Sequence, residues 1–399
     1  MFEVKLMQKG FWLEKNNIKN IYPYLSRNVN CNVLIVGGGI CGAITAYFLA
    51  KEGFKVVIIE KNIIGHNNTS FSSACVTEFM DDFYMKIPKE NDNLKRKLCD
   101  LKKQANTLLD EILVNMNKGE YLSRKEHYIV TPKMFQKSGF QSECNFREKM
   151  GEKAIFFANS DLFDTSSGIQ IKDNSAILDS YDFTSRLFEY LASFPNVSIY
   201  ENTEMQDIYS NYEGVVITTQ NDFLIKSDSM ILTSDTKNIP LNSLPNVERY
   251  KRFSMTVKTD LNKDFSAKII NDIPIYIRGE RNGNIVISGL DTKYIFKMES
   301  DKYLDSIKAE NLRKFKYVLK RSLKDVNIDE NSIKIYAGDI MATKDNLPII
   351  SEIDKLPNCY LNLGVGSTSI ANFLIGGDTL KDAIKGYYKK DMNIFKMNR

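Results

Sequence analysis

Histidine is almost absent: His66 and His127 are the only two in 399 residues, and they lie far apart along the chain. A zinc-type centre or a Ser-His-Asp triad would have to recruit one of them, and nothing near either supports that. The six cysteines (Cys31, Cys41, Cys75, Cys99, Cys144, Cys359) include no CxxC pair and no metal-type spacing. They read as free thiols of a reducing compartment, several of them buried. No apolar run approaches bilayer length, so no integral membrane segment is expected. Met1–Lys9 mixes charged and apolar residues and lacks a signal-peptide core, so the expected location is the cytoplasm. The net charge of +4 is spread along the chain and forms no basic block, which excludes nucleic acid as an expected partner. Repeats, low-complexity tracts and long linkers are missing too.

What is present is the balance of a globular protein long enough for two structural regions, each with its own core. Residues 1–30 carry Phe11, Trp12, Tyr22 and Tyr24 without periodicity and read as an ordered arm. Asn32–Val36 is a short apolar run stopped by glycines, as a buried parallel strand requires. Ile40–Lys51 has helical spacing with Gly53 as a plausible C-cap. Lys55–Ile59 is a second buried strand ending at Glu60. Together they spell a βαβ unit.

Further on, the spacing predicts a helix within 86–122, with Leu98, Leu101, Leu108, Leu109 and Ile112 as a packing stripe. It also predicts a helix over 182–194 with Asp182 as its cap. Strands are expected at 128–131, 197–200, 215–218, 230–233, 253–257, 275–277, 284–287, 332–336 and 360–363, with Asn282-Gly283 as a hairpin turn. Charged residues 301–323 and the segment 371–384 read as helices.

Gly37-Gly38-Gly39-Ile40-Cys41-Gly42 fits GxGxxG. Gly37 permits a tight turn, Gly39 lets a pyrophosphate approach the backbone, and Gly42 lets helix and strand pack closely. The helix start, with Ile40 and Cys41, offers amide donors and a positive dipole end. Glu60, followed by Lys61, stands where an acid accepts hydrogen bonds from a ribose diol, and its charge disfavours NADP. The motif alone leaves FAD and NAD open. The polar loop 64–75 tilts the reading toward FAD, because its hydroxyls and amides suit a diphosphate or a flavin edge.

Gly37–Glu60 with the following Gly65–Ala74 resembles the N-terminal FAD signature of the D-amino-acid oxidase (DAO) superfamily, which includes glycine and sarcosine oxidases and amino-acid dehydrogenases. Near the other end, Tyr336-Ala-Gly338, Thr343-Lys-Asp345-Asn-Leu-Pro348 and Gly364-Val-Gly366 are similar to its closing flavin segment. Asp179-Ser-Tyr181, Tyr200–Met205, Tyr276-Ile-Arg278 and Gly283–Gly289 match more loosely, and the resemblance spans almost the whole chain.

It implies an α/β fold: a Rossmann-like FAD-binding domain assembled from both chain ends (1–80, 172–236 and 330–399). An interleaved α+β substrate domain (81–171 and 237–329) would carry a mainly antiparallel sheet over the flavin. It implies that Gly37, Gly39 and Gly42 meet the pyrophosphate and Glu60 the ribose. Thr69, Ser70 and Ser73 would run toward the flavin, Met205 would contact adenine, and Ser234 would stand by the diphosphate. Gly338, Gly364, Gly366, Ser367, Thr368 and Ser369 would border the isoalloxazine ring.

The implied activity is oxidation of the C–N bond of an amino acid or secondary amine by hydride transfer to flavin N5. The product imine then hydrolyses, and oxygen or another carrier takes the electrons. Arg278 is the expected anchor for a substrate carboxylate, since guanidinium and carboxylate pair bidentately, with Tyr276 beside it. Arg252 is a weaker alternative, and Arg281 reads as a solvated turn residue. His66 reads as a loop residue in preference to a covalent flavin attachment point, and Cys75 reads as packing.

Two departures stand out. Gly366-Ser367-Thr368-Ser369 replaces a glycine-rich run with an asparagine, and Ser234-Asp235 replaces a small-residue-plus-glycine step, placing a carboxylate near a diphosphate. They motivate a second reading, a flavoprotein impaired in catalysis that serves as a subunit or binding module. A third is an NAD-dependent dehydrogenase, which leaves Gly338 and Gly364–Gly366 without a role.

Overall fold

The computed structural model describes residues 10–17, 20–117, 125–133, 136–172, 175–236, 239, 244–270, 274–387 and 390–399. The expectations for Met1–Lys9 and for the end of the 86–122 segment fall outside the described residues. Of the aromatic arm, Phe11–Lys15 forms a short helix that buries Trp12 completely.

A parallel sheet is built on the apolar runs that end in glycine or acid. Its order is Ile349–Glu352, Cys359–Leu363, Leu224–Leu232, Val29–Val36, Val56–Ile59, Val197–Tyr200. Every neighbour pair is parallel except the first. Val36 stands opposite both Ile59 and Leu232, so the turn after Val36, Glu60 and the turn after Leu232 share one sheet edge. Ligands of open α/β sheets bind at this carboxyl edge.

Helices Ile40–Lys51, Ser180–Ala192 and Ser369–Ile384 cover one face, where Val33, Ile35, Val56 and Ile58 meet Ile44, Phe188 and Leu374. Leu34, Val36, Val57 and Ile59 pack on the other face against the hairpin Met205–Asn211/Gly214–Thr219. Ile40–Lys51 is apolar nearly all round because it is buried on every side.

The second sheet has eight strands, ordered Ile328–Thr343, Val247–Thr259, Asn284–Lys293, Ile275–Gly279, Phe265–Ile269, His127–Thr131, Ser167–Lys172, Lys153–Phe157. Its pairs are antiparallel save the central Phe265–Ile269/His127–Thr131 junction. The expected hairpin turn is there, with Gly283 at φ +84°. Helix Asp301–Ser322 covers one face, with Phe315 and Leu319 against Phe253 and Ile287.

Three expectations need correction. The cap of helix Ser180–Ala192 is Asp179, not Asp182: its Oδ1 accepts the Asp182 amide at 3.0 Å. Strand Ile328–Thr343, expected within the flavin-side segment from 330, pairs along Val247–Thr259 and so belongs to the antiparallel sheet. Helix Asp92–Asn115 was assigned to the substrate domain, yet its Leu98, Leu109 and Ile112 join the core over the parallel sheet.

Candidate functional site

The glycine turn has the close packing its motif demands. A Cβ on Gly42 would stand 2.0 Å from the Gly37 carbonyl oxygen, so helix and turn touch through that position. Gly37 has φ +121°, and a Cβ there would meet Thr233 Oγ1 at 2.6 Å and Ser234 Oγ at 2.8 Å. Beside Gly39 only Thr69 Oγ1 comes within 4 Å, leaving its surroundings open. Thr69 Oγ1 accepts the Ile40 amide at 3.0 Å, satisfying one of the free donors of the helix start.

Glu60 is buried at the end of its strand. Its carboxylate accepts the amides of Gly38 (2.8 Å) and Asn62 (3.0 Å) and the Asn67 side-chain amide (3.3 Å). Burial raises its pKa, opposed by those two backbone hydrogen bonds.

A cavity of about 600 Å³ runs from this turn to the antiparallel sheet. Of the expected cofactor residues, Gly37, Gly39, Ile40, Cys41, Glu60, Lys61, Thr69, Ser73, Met205, Ser234, Gly338, Gly364, Gly366, Ser367 and Ser369 line it. Gly42, Ser70 and Thr368 do not. Gly42 acts through packing. Ser70 Oγ donates to the carbonyls of His66 and Asn67 within its own turn, and Thr368 Oγ1 donates to the Val365 carbonyl.

The catalytic expectations need correction. Tyr276 and Arg278 share a face of their strand, as alternation requires, but neither lines the cavity. Arg278 is buried behind it. It donates to the carbonyls of Ser73 (3.1 Å) and Leu178 and to Glu280 (2.9 Å), and stacks on Trp12. Its hydrogen-bonding capacity holds the polar loop against the sheet. Tyr276 donates its hydroxyl to Asp81.

Two arginines reach the cavity, Arg249 and, beside Ser367, Arg252. The Nε and Nη2 of Arg252 pair bidentately with Asp291 at 2.7 and 2.6 Å, and Nη1 donates to Ser367 Oγ. A second cavity of about 110 Å³, lined by Asp81, Tyr250, Asp291 and Asn346 among others, shares Arg252, Ile340 and Gly366 with the first.

Behind Arg252, Lys268 donates to both the carbonyl and the carboxylate of Asp81 at 2.8 Å. Burial opposes the charge of Lys268, but Asp81 holds its pKa well above the ordinary value. Burial likewise opposes ionisation of Asp81, and Lys268 wins, keeping that carboxyl below its usual range. Burial and Asp81 together push the Tyr276 phenol up.

Asp81, Lys268 and Asp291 were not identified from the sequence. Lys268 alone left a signal, as a lysine in the wholly buried strand Phe265–Ile269 that must find a partner.

The two departures are visible in place. Ser367 gives its oxygen to Arg252, and Asp235 lines the cavity with the Arg249 guanidinium 3.9 Å away. His66 packs edge-to-face on Tyr181 outside the cavity lining. Cys75, read as packing, does line the cavity, and burial raises its thiol pKa. Among the described residues no helix is long and apolar enough to cross a membrane.

An open glycine cradle, a buried acid one strand on and a long cavity under a roofing sheet fit an extended dinucleotide with a ring system at its far end. The comparisons agree. Residues 32–383 match the family model of DAO, FAD-dependent oxidoreductase. Glycine oxidase from Geobacillus kaustophilus shares the fold at TM-score 0.73 and 18% identity, covering 93% of this chain and 99% of that one. L-proline dehydrogenase from P. horikoshii does so at TM-score 0.74 and 16% identity, covering 94% and 98%. L-amino acid deaminase from Proteus vulgaris superimposes at TM-score 0.68 and 16% identity, covering 96% of each chain.

A segment of 74 residues is 39% identical to a putative Rieske 2Fe-2S iron-sulfur protein, YhfW, of Bacillus subtilis. That segment is 18% of this chain and spans only 14% of that protein's length. The NAD-dependent reading falls with the family match. The chain belongs to the DAO family of FAD-dependent oxidoreductases, and FAD is its cofactor.

Proposed function

We propose that the enzyme oxidises the C–N bond of a small amino acid or N-substituted amino acid whose carboxylate is anchored by Arg252. One observation carries this reading: Arg252 is the arginine that stands between the two cavities, its Nη1 edge turned to Ser367. Bound FAD supplies a two-electron acceptor for the hydride on the carbon beside nitrogen. Asp291 fixes the guanidinium plane through Nε and Nη2, so a carboxylate is met by Nη1 with the Ser367 hydroxyl beside it. The roles of the cradle residues are proposed along the same lines: Gly37 and Gly39 at the diphosphate, Glu60 at the ribose, and Gly364–Ser369 at the ring.

Among the described residues no free base stands at this end of the cavity. Asp81 is kept ionised by Lys268 and hydrogen-bonded by Tyr276, and Lys268 and Tyr276 keep their protons. The substrate amine must therefore arrive neutral or lose its proton to water.

The test is anaerobic reduction of the flavin absorbance, using amino acids, N-methyl amino acids and the matching amines without a carboxylate. Bleaching by a carboxylate-bearing substrate is expected. Arg252→Met should raise KM about 10- to 100-fold, the range for a lost hydrogen bond to a charged group, with the flavin still bound. A KM unchanged in Arg252→Met removes the anchor. Bands that no substrate bleaches favour the impaired flavoprotein. Reoxidation by air against a one-electron dye then identifies the acceptor, and the short match to an iron-sulfur protein makes the one-electron arm worth running.

A further inference from the structure

The turn after strand Leu224–Leu232 lies directly on the glycine turn, since the side chains of Thr233 and Ser234 are what a Cβ on Gly37 would strike. Asp235 is the next residue, and it faces the same cavity. A carboxylate there stands close to the place where Gly37 and Gly39 receive a dianionic diphosphate. Like charges so placed, in a cavity walled by protein, repel more strongly than in water.

A cation reaches Asp235 from the other sheet. Arg249, on strand Val247–Thr259, places Nη1 3.9 Å from the Asp235 carboxylate, donates through Nη2 to Asp339, and stands over Tyr294 at 4.2 Å from the ring centroid. Burial opposes its charge, and Asp339 foremost, then Tyr294 and Asp235, more than restore it, so the guanidinium stays charged. Asp339 does not depend on Arg249 alone, because Lys251 Nζ reaches it at 2.6 Å. Arg249 can thus serve Asp235 and the cavity without leaving Asp339 unpaired.

We propose that Arg249 is a cofactor-binding residue, a counter-charge that helps this chain to hold the FAD diphosphate beside Asp235. The antiparallel sheet, expected to serve the substrate, then contributes directly to holding the cofactor. The idea concerns binding alone and does not depend on Arg252 or on which amine is oxidised.

The experiment is a fluorescence titration of the apoprotein with FAD, at low and at raised ionic strength, with circular dichroism as the check on folding. Arg249→Gln should weaken FAD binding about tenfold, and raised salt should recover part of the loss by screening the Asp235–diphosphate repulsion. Asp235→Asn should bind FAD as well as the unaltered protein or better. The double variant should return to within about threefold of the unaltered protein, because the two charges act on each other. Equal affinity in Arg249→Gln, or a double variant no better than Arg249→Gln alone, overturns the proposal. Should Arg249→Gln not fold, Asp235→Asn and Arg249→Lys still decide. The first must not weaken binding, and the second must keep most of it, because charge and not the fork geometry is what the proposal requires.

Discussion

At the scale of single residues, Arg278 and Arg252 show what a sequence conveys and what it withholds. Alternation along Ile275–Gly279 places Tyr276 and Arg278 on one face, and that is correct. Whether the face meets open space or another backbone depends on the ribbon formed by Cys75–Val76 and Ala176–Ile177, two residues in each strand and too short to leave a periodic signal. Arg278 is consumed by that backbone, and Arg252 reaches the cavity instead.

His127 offers a prediction of its own. It is fully buried, with Nδ1 2.9 Å from Ser266 Oγ, and burial first, then Lys102, Arg147 and Lys268, hold its pKa well below the ordinary value. A histidine depressed in the folded state favours folding while neutral, so its contribution is complete above the unfolded pKa of about 6.5. Below that, stability is lost at about 1.4 kcal/mol per pH unit, because the unfolded chain binds a proton that the folded chain refuses. Urea unfolding at about pH 7 and about pH 5.5 should show this loss, and His127→Asn should lack that component of the slope. Equal slopes in the two proteins would refute the assignment.

Among elements, those with a complete periodic signal were legible and those held by charge were not. Ile40–Lys51 is found with the bounds its spacing predicts, and Val56–Ile59 and Cys359–Leu363 differ by one residue. No hydrophobic spacing announces helix Lys137–Lys149, since its buried set is Phe140, Glu143, Cys144 and Arg147, half of it ionic. Those charges enter a buried network. Arg147 pairs with Glu143 (2.8 Å), Glu78 (3.0 Å) and Glu152 (3.1 Å), and Lys102 of helix Asp92–Asn115 pairs with Glu152 at 2.9 Å. No pattern of hydrophobicity reveals an element whose inner face is charged.

Removing the arginine leaves buried carboxylates short of a cation. Arg147→Met should therefore cost about 3–5 kcal/mol, read as a lower urea midpoint. A loss below about 1 kcal/mol would show that water reaches the cluster. Lys102→Met, which leaves Arg147 in place, should fall between that variant and the unaltered protein.

For the molecule as a whole, the class of fold and the cofactor could be read from the two ends of the chain, because glycine turns carry their geometry in the sequence. The division between sheets was less legible. Strand Ile328–Thr343 is half-buried along most of its length and looks like a short strand beside the flavin segment, yet its full length pairs with Val247–Thr259.

The cavity is walled by both sheets, so FAD should bind the folded chain and not its fragments. At free FAD about 100-fold above Kd, folding should gain about 2.7 kcal/mol. NAD at the same concentration should leave the melting temperature where it was. A shift with NAD and none with FAD would contradict the cofactor assignment.

The order of strands in the parallel sheet has a consequence for biosynthesis. Val29–Val36 lies beside Leu224–Leu232, which in turn needs Cys359–Leu363 at its outer side. The ribosome makes the first of these roughly 320 residues before the last, a delay of about 15 to 65 s at ordinary rates of elongation. For that interval the glycine turn exists without the sheet edge that completes its cavity. Loading of the flavin accordingly waits for the synthesis of Cys359–Leu363, and a nascent chain paused before residue 359 is expected to be without colour.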